Sequence, residues 1–359
     1  MEYKQASIKE IEKVVQLSVA TFKPNMKEQF RLLFSNQNVK HMMIAKDQDK
    51  VISEVNYYPS TIIIPHAKIK VASIGSVCTN QHYRGQGIAS RLLILAEEQM
   101  IKENIGLAII SGDLGIYERF GARDVGSMHL YKSHRDHQHI KHHYRLKPYE
   151  PSDLEVMFKL YSKEVIRYQR SRYEFQELLL GQTYPDTYCQ YPIYMVYDHE
   201  IPVAYVILSV YVEDDLIKIK EFAGDRKALV SIIQDVLHLY HKTKITWVVP
   251  PKDFINEHSK HLSHSKITQR ATLKITHVGY FFESIIFYIR HLFPGVDIIE
   301  STQTDIKLKI EGHLIVLNQE DALNMVFNGK TKLRNRQVLR FVRSCFPIPL
   351  PWSHNLNYQ

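Results

Sequence analysis

The chain has 359 residues, 45% apolar and 23% charged, with a formal charge of +8 and a pI near 9.1. That length calls for two or three domains, and the composition is that of a folded globular protein rather than a disordered or fibrous one. The basic residues are dispersed rather than gathered in a stripe, which argues against nucleic acid as partner; no apolar run nears the roughly 20 residues of a membrane span, and Met1-Glu2-Tyr3-Lys4-Gln5 leads into no signal-peptide core, so a cytoplasmic protein without membrane partners is expected. Cys78, Cys189 and Cys345 lie far apart without metal-ligand spacing, so free thiols and no metal are expected.

Apolar positions at Ile8, Ile11, Val14, Val15, Leu17 and Val19 predict a first helix over Ala6 to Thr21, and Met26 to Phe34 a second. His41 to Lys46, Val51 to Ile64 and Lys68 to Thr79 read as a meander of strands, with Ile64-Pro65-His66-Ala67 as a turn. A donor-rich loop follows, Asn80-Gln81-His82-Tyr83-Arg84-Gly85-Gln86-Gly87, and then a helix whose apolar face is Ile88, Leu92, Leu95 and Ala96. Gly85 and Gly87 let the backbone approach an anion, the helix start turns free N–H groups toward it, and Arg84 adds a forked cation. No Gly-Lys-Ser/Thr follows as in a P-loop, and the glycine spacing is one residue short of the dinucleotide fingerprint.

The pattern Arg84, Gly87, Ala89 resembles the coenzyme A loop of the GCN5-related N-acetyltransferases (GNAT superfamily). A second element agrees: an apolar run Leu107 to Ser111, then Gly115-Ile116-Tyr117-Glu118-Arg119-Phe120-Gly121, a short helical turn capped by glycine. The resemblance implies that acetyl-coenzyme A lies against Val77, Cys78 and Thr79, with its pyrophosphate on Arg84, Gly85, Gln86, Gly87, Ile88, Ala89 and Ser90. It implies too that Tyr117 is the general acid for the leaving thiolate.

Residues 129 to 143 hold six of the 19 histidines and read as a solvated connector rather than a metal site. A boundary follows near Lys147 to Pro151, and Ser152 with Glu155 reads as a capping box. Strands at Tyr191 to Tyr197, Val203 to Val212 and Lys218 to Phe222 and a helix from Leu229 to Tyr240 repeat the first domain's order. Here Ala223-Gly224-Asp225-Arg226-Lys227-Ala228 stands where the glycine loop stood, and its aspartate would repel a pyrophosphate. Beyond it, Arg270 to Ile275 reads as a strand, Tyr280 to Phe293 as a helix, Asp305 to Glu311 and His313 to Asn318 as strands, and Glu320 to Phe327 as a helix. The tail Phe346 to Gln359 alternates proline with apolar residues, and its aromatics point to a docked segment.

The whole resembles the enhanced-intracellular-survival (Eis) acetyltransferases. The resemblance implies α/β architecture with mixed sheets: a catalytic GNAT domain at 1–146, a degenerate second GNAT-like domain at 147–266, and a sterol-carrier-protein-like α+β domain at 267–359. It also implies that the chain's terminal α-carboxylate, on Gln359, is the base that deprotonates an amine of a small molecule, an aminoglycoside or a lysine side chain. Glu54, Asn56, Tyr57 and Phe22 are candidates for the acceptor pocket. A homo-oligomer is left open, and the rival from another class is a non-catalytic acetyl-coenzyme A sensor or scaffold.

Overall fold

The computed structural model describes residues 1–112, 115–136, 142–251, 253–259 and 262–358. Two eight-stranded mixed sheets and a three-stranded meander organise them. The first sheet runs Glu2–Gln5, Met42–Asp47, Lys50–Ile64, Ala67–Thr79, Leu107–Ile110, Thr272–Ile275, Arg123–Asp124, with Arg167–Gln169 paired to the third of these. Its one parallel pair joins Val71–Ile74 to Leu107–Ile110 through the helix Ile88–Lys102. The second sheet repeats the device: antiparallel strands, then Ile217–Ile219 parallel to Ile245–Trp247 across helical turns Arg226–Ser231 and Ile233–Leu239.

The first sheet is covered on both faces at its centre, which is why the strands Met42–Asp47 and Leu107–Ile110 read as near-continuous apolar runs. Ala72, Ile74, Ala108 and Ile110 pack beneath Ile88, Leu92, Leu93 and Ala96. On the opposite face, helix Ile11–Thr21 covers one end and helix Val278–Leu292 the other, where Phe281, Phe282 and Ile285 meet Ile69, Val71 and Leu107. Helices Leu154–Ser162 and Arg172–Gln182 back the second sheet. The third sheet, Val296–Ser301, Asp305–Ile310 and His313–Asn318, packs with helices Gln319–Asn328 and Arg336–Cys345 into a small sheet-plus-helix unit.

The sheets do not follow the expected boundaries. Thr272–Ile275, read as part of the last domain, pairs antiparallel with Leu107–Ile110. Met128–His134, read as part of a solvated connector, is an interior strand of the second sheet between Lys244–Val249 and Ser263–Ile267. His129 and His134 are therefore strand residues, while His137 and His139 lie outside the described residues. The reason is that a strand's alternation states that it needs a partner and not which one.

Local differences are smaller. The second helix is a single turn, Met26–Gln29, with a 3-10 segment at Asn36–His41. Glu150, rather than Ser152, caps the turn before Leu154, exchanging bonds with Asp153 across Pro151, whose missing N–H suits a first helical position. Helix Arg172–Gln182 and strand Val296–Ser301 are additions to the expected set. Among the described residues no helix is long and apolar enough to cross a membrane.

Candidate active site

The parallel pair opens into a cleft. Beyond Ile74 the strand Ala67–Thr79 has no partner in Leu107–Ile110; Ser111 N–H to Ile74 O, at 3.5 Å, is the last contact. A bulge causes the divergence: Glu54 faces Cys78 and Asn56 faces Gly75, leaving Ser76 and Val77 opposite Val55, and Ser76 adopts φ +51°.

The donor loop closes one end. Tyr83 donates to Asp47 at 2.8 Å and Arg84 Nε to the Thr79 carbonyl at 3.1 Å, which pins the loop to the strand it leaves. Gly85 and Gly87 have φ of +79° and +73° with open space where a Cβ would stand, and Gly87 starts the helix. Among the described residues the N–H groups from Gly85 to Ser90 have no acceptor in the chain, and Arg91 makes the first helical bond, to Gly87. Six free donors, a helix start and an exposed arginine form an anion cradle of diphosphate character. In the second copy the same place is filled by carboxylates. Asp225 accepts from Ala228 N–H at 2.8 Å, Glu164 from Gly224 N–H at 2.8 Å, and Arg226 is clamped between Glu164 and Asp253.

Tyr117 stands at the other end, on the turn Gly115–Arg119, buried with only 6% of its surface exposed. Burial, with Tyr358 and Cys78 nearby, pushes its pKa up to about 12, so at neutral pH it holds its proton. Two contacts from the exchanged strand fix the turn: Thr272 Oγ1 donates to the Gly112 carbonyl at 3.1 Å, and Lys274 bridges Glu97 at 2.6 Å and the Phe120 ring at 3.7 Å. Gly112 is required by close approach, since a Cβ there would meet Tyr117 Cε2 at 2.8 Å. Gly112→Ala is expected to displace the ring and lower turnover tenfold or more, with cofactor affinity held, because a shift of about 1 Å is enough; steady-state kinetics with calorimetry checks this.

The floor holds Glu54, fully buried in the strand Lys50–Ile64. Its Oε1 accepts from the Ser18 hydroxyl, from Ser76 at 2.8 Å and from the Cys78 thiol at 3.3 Å, while Oε2 is buried without a partner. Burial outweighs these donors and lifts its pKa to about 7. Cys78 is also buried, and its thiol is pushed far up by burial and by Glu54. Of the other pocket candidates, Tyr57 is core, packed with the helix-side cluster and 4.7 Å from His41, and Phe22 is half exposed. Asn56 is buried with neither amide atom bonded. An acidic residue inside the run Val51-Ile52-Ser53-Glu54-Val55 is the sequence signal that distinguishes Glu54 from the other pocket candidates, and the resemblance alone did not use it.

The tail completes the cleft. Leu356 is fully buried in the second domain's core, and burial of this kind stabilises by about 1.5–3 kcal/mol. Gln269 donates to the Pro351 carbonyl, Ser353 to the Gln269 carbonyl at 2.6 Å, and Gln182 to the Tyr358 carbonyl at 3.0 Å. The buried pair Arg170–Glu221 holds its end: Arg170 Nε donates to Asn357 Oδ1 at 2.7 Å, and Leu356 N–H to Glu221 at 3.3 Å. Tyr358 thus reaches the cluster around Phe30 and Cys78; Gln359 lies outside the described residues. In the second sheet, His143, just before the strand Tyr144–Pro148, and Asp198 and His199, at the turn after Ile193–Asp198, can bring one ligand atom each within 4.8 Å of the others.

Residues 2–124 match the family described as acetyltransferase (GNAT) domain. The fold of the whole chain is that of three solved structures. A GCN5-related N-acetyltransferase from Anabaena variabilis is 16% identical, with 98% of each chain covered and a TM-score of 0.71. One from Kribbella flavida is 11% identical, covering 100% of this chain and 98% of that one at 0.67. Eis1 from Mycobacterium abscessus is 12% identical, covering 99% and 100% at 0.66. Comparison with curated proteins gives no significant match.

Proposed function

We propose that this chain, with a GNAT acetyltransferase domain at residues 2–124, moves an acetyl group from acetyl-coenzyme A to a primary amine by direct attack. The observation that carries this is one cleft with a free-donor loop at one end and a buried, protonated tyrosine at the other. The backbone of Gly85 to Ser90, with Arg84, fits the cofactor's pyrophosphate, and the unpaired edge at Val77, Cys78 and Thr79 offers N–H groups to the thioester carbonyl. The hydroxyl of Tyr117 protonates the departing thiolate. The second copy, with carboxylates in place of free donors, binds no cofactor and serves to hold the tail. A scaffold that only binds acetyl-coenzyme A has no use for the positioned acid. Thiol release from acetyl-coenzyme A across a panel of amines tests the proposal, and silence with every amine overturns it.

Two carboxyl groups compete for the amine's proton. The α-carboxylate of Gln359 is the first assignment, supported by Tyr358 packing against the cluster that holds Cys78. Deleting Gln359 draws the terminal carboxylate back by about 3.5 Å and should cut turnover at least 100-fold with cofactor binding intact; wild-type turnover in the shortened chain removes that role. Glu54 is the second, because its unpartnered Oε2 and a pKa near 7 suit a base. A carboxyl works as base only when ionised, so under this assignment turnover climbs as pH passes about 7, and Glu54→Gln abolishes that limb.

A further inference from the structure

The strand Ile217–Gly224 carries a bulge: Ile207 faces Glu221 and Leu208 faces Ile219, so Lys220 is the extra residue. Bulges re-aim side chains, and this one turns Lys220 toward the tail, where it shares a small cavity with Trp352 and Asn355. Its ammonium lies 5.0 Å from the Tyr191 ring, and among the described residues no carboxylate is within ion-pair distance of it. The adjacent Glu221 is taken up bidentately by Arg170. Burial draws the Lys220 pKa down to about 8, which still leaves it charged at neutral pH.

The tail segment facing it is aromatic, and the acids that also line the cavity are taken up, Glu164 and Asp253 by Arg226 and Glu221 by Arg170. Trp352, His354 and Tyr358 stack with ring centroids 4.9 Å apart at each step. Burial, then the fields of Lys220, Arg270 and Lys218, hold His354 at about 4, neutral at pH 7. Across the tail, Lys23 leans over Phe30 at 5.7 Å, and Phe30 lies 6.5 Å from Tyr358. Asp186 is the carboxylate that acts on Lys23. Lys220, through the cavity it shares with Trp352, and Lys23, through Phe30, thus flank the stack whose Tyr358 packs against the cluster holding Cys78, and a polycation entering there would lose hydration beside like charge.

We infer that the acceptor amine carries an acidic group, a carboxylate or a phosphate, held by Lys220 and Lys23 beside the aromatic stack of the tail. This rests on the acyl-transfer proposal and narrows its substrate class. A charge-assisted contact in a half-buried setting is worth tenfold or more in affinity.

The experiment compares small amines of different charge: β-alanine, phosphoethanolamine, ethanolamine and spermidine. Each is read by thiol release and by calorimetry on the protein loaded with coenzyme A. The expected order places an acidic amine at least tenfold above spermidine in kcat/KM and in affinity, the first two amines separating carboxylate from phosphate. Lys220→Gln should raise KM for the acidic amine about tenfold more than KM for ethanolamine, and Lys220→Arg should restore it. A preference for spermidine, or a KM and Kd for acidic amines that Lys220→Gln leaves unchanged in a folded protein, overturns the inference. Thiol release absent with every amine, alongside a calorimetric preference for acids, overturns the transfer reaction and keeps the charge selection.

Discussion

Tyr117→Phe leaves acetyl-coenzyme A bound as tightly as before and lowers turnover about 100- to 10,000-fold, the range for losing a positioned general acid. The substitution is clean because it keeps the buried ring that packs with Ile110 and Ala122, and among the described residues the hydroxyl makes no hydrogen bond to lose. The tyrosine's raised pKa sets the sign of its pH behaviour: it is protonated throughout pH 6 to 9, so its removal lowers the whole profile without shifting a limb in that window. Calorimetry with coenzyme A and thiol release with the best amine measure the two halves of the statement. Turnover within a few-fold of wild type would remove Tyr117 from the chemistry.

Arg170→Met has the second large effect, and it acts at a distance from the reacting atoms. Arg170 and Glu221 are 7% and 5% exposed, bonded at 2.9 and 2.7 Å, and Arg170 also lies 4.1 Å above the Tyr161 ring. Removing one partner of such a pair strands the other charge and costs about 3–5 kcal/mol, whereas replacing both with apolar residues is often neutral. Arg170→Met should therefore lower the melting temperature, expose the last dozen residues to carboxypeptidase, and abolish turnover while the distant donor loop still binds coenzyme A. The double variant Arg170→Met with Glu221→Leu should recover most of the stability and little of the turnover, since Asn357 and Leu356 keep no polar anchor. If the double variant is as active as wild type, the pair holds the fold and not the tail.

Local chemistry was legible and distant pairing was not. The strand before the donor loop, the two glycines with positive φ and the tyrosine turn all carry their signals within a few residues, and all three stand where the sequence puts them. Asp225 was legible as well, because an aspartate just before a helical run reads as a cap, and it caps Arg226–Ser231. Arg170 and Glu221 are 51 residues apart, and each looks in the sequence like an ordinary surface charge. The strand exchange between sheets was hidden for the same reason. Glu54 and the helix Arg336–Cys345 are different, since an acid inside an apolar run and apolar positions Val338, Phe341, Val342 and Cys345 at helical spacing were open to reading.

The strand Thr272–Ile275 ties the order of synthesis to the order of assembly. The edge of Leu107–Ile110 that it covers is made roughly 160 residues earlier, so at ordinary translation rates of about 5–20 residues per second it waits on the order of 10–30 s for its partner. During that interval a short, wholly apolar strand presents unpaired N–H and C=O groups, a template for association with any neighbouring chain. The turn carrying Tyr117 likewise lacks Thr272 and Lys274. The nascent first sheet is thus a vulnerable intermediate, and the Tyr117 turn is set in place only when the later strand arrives.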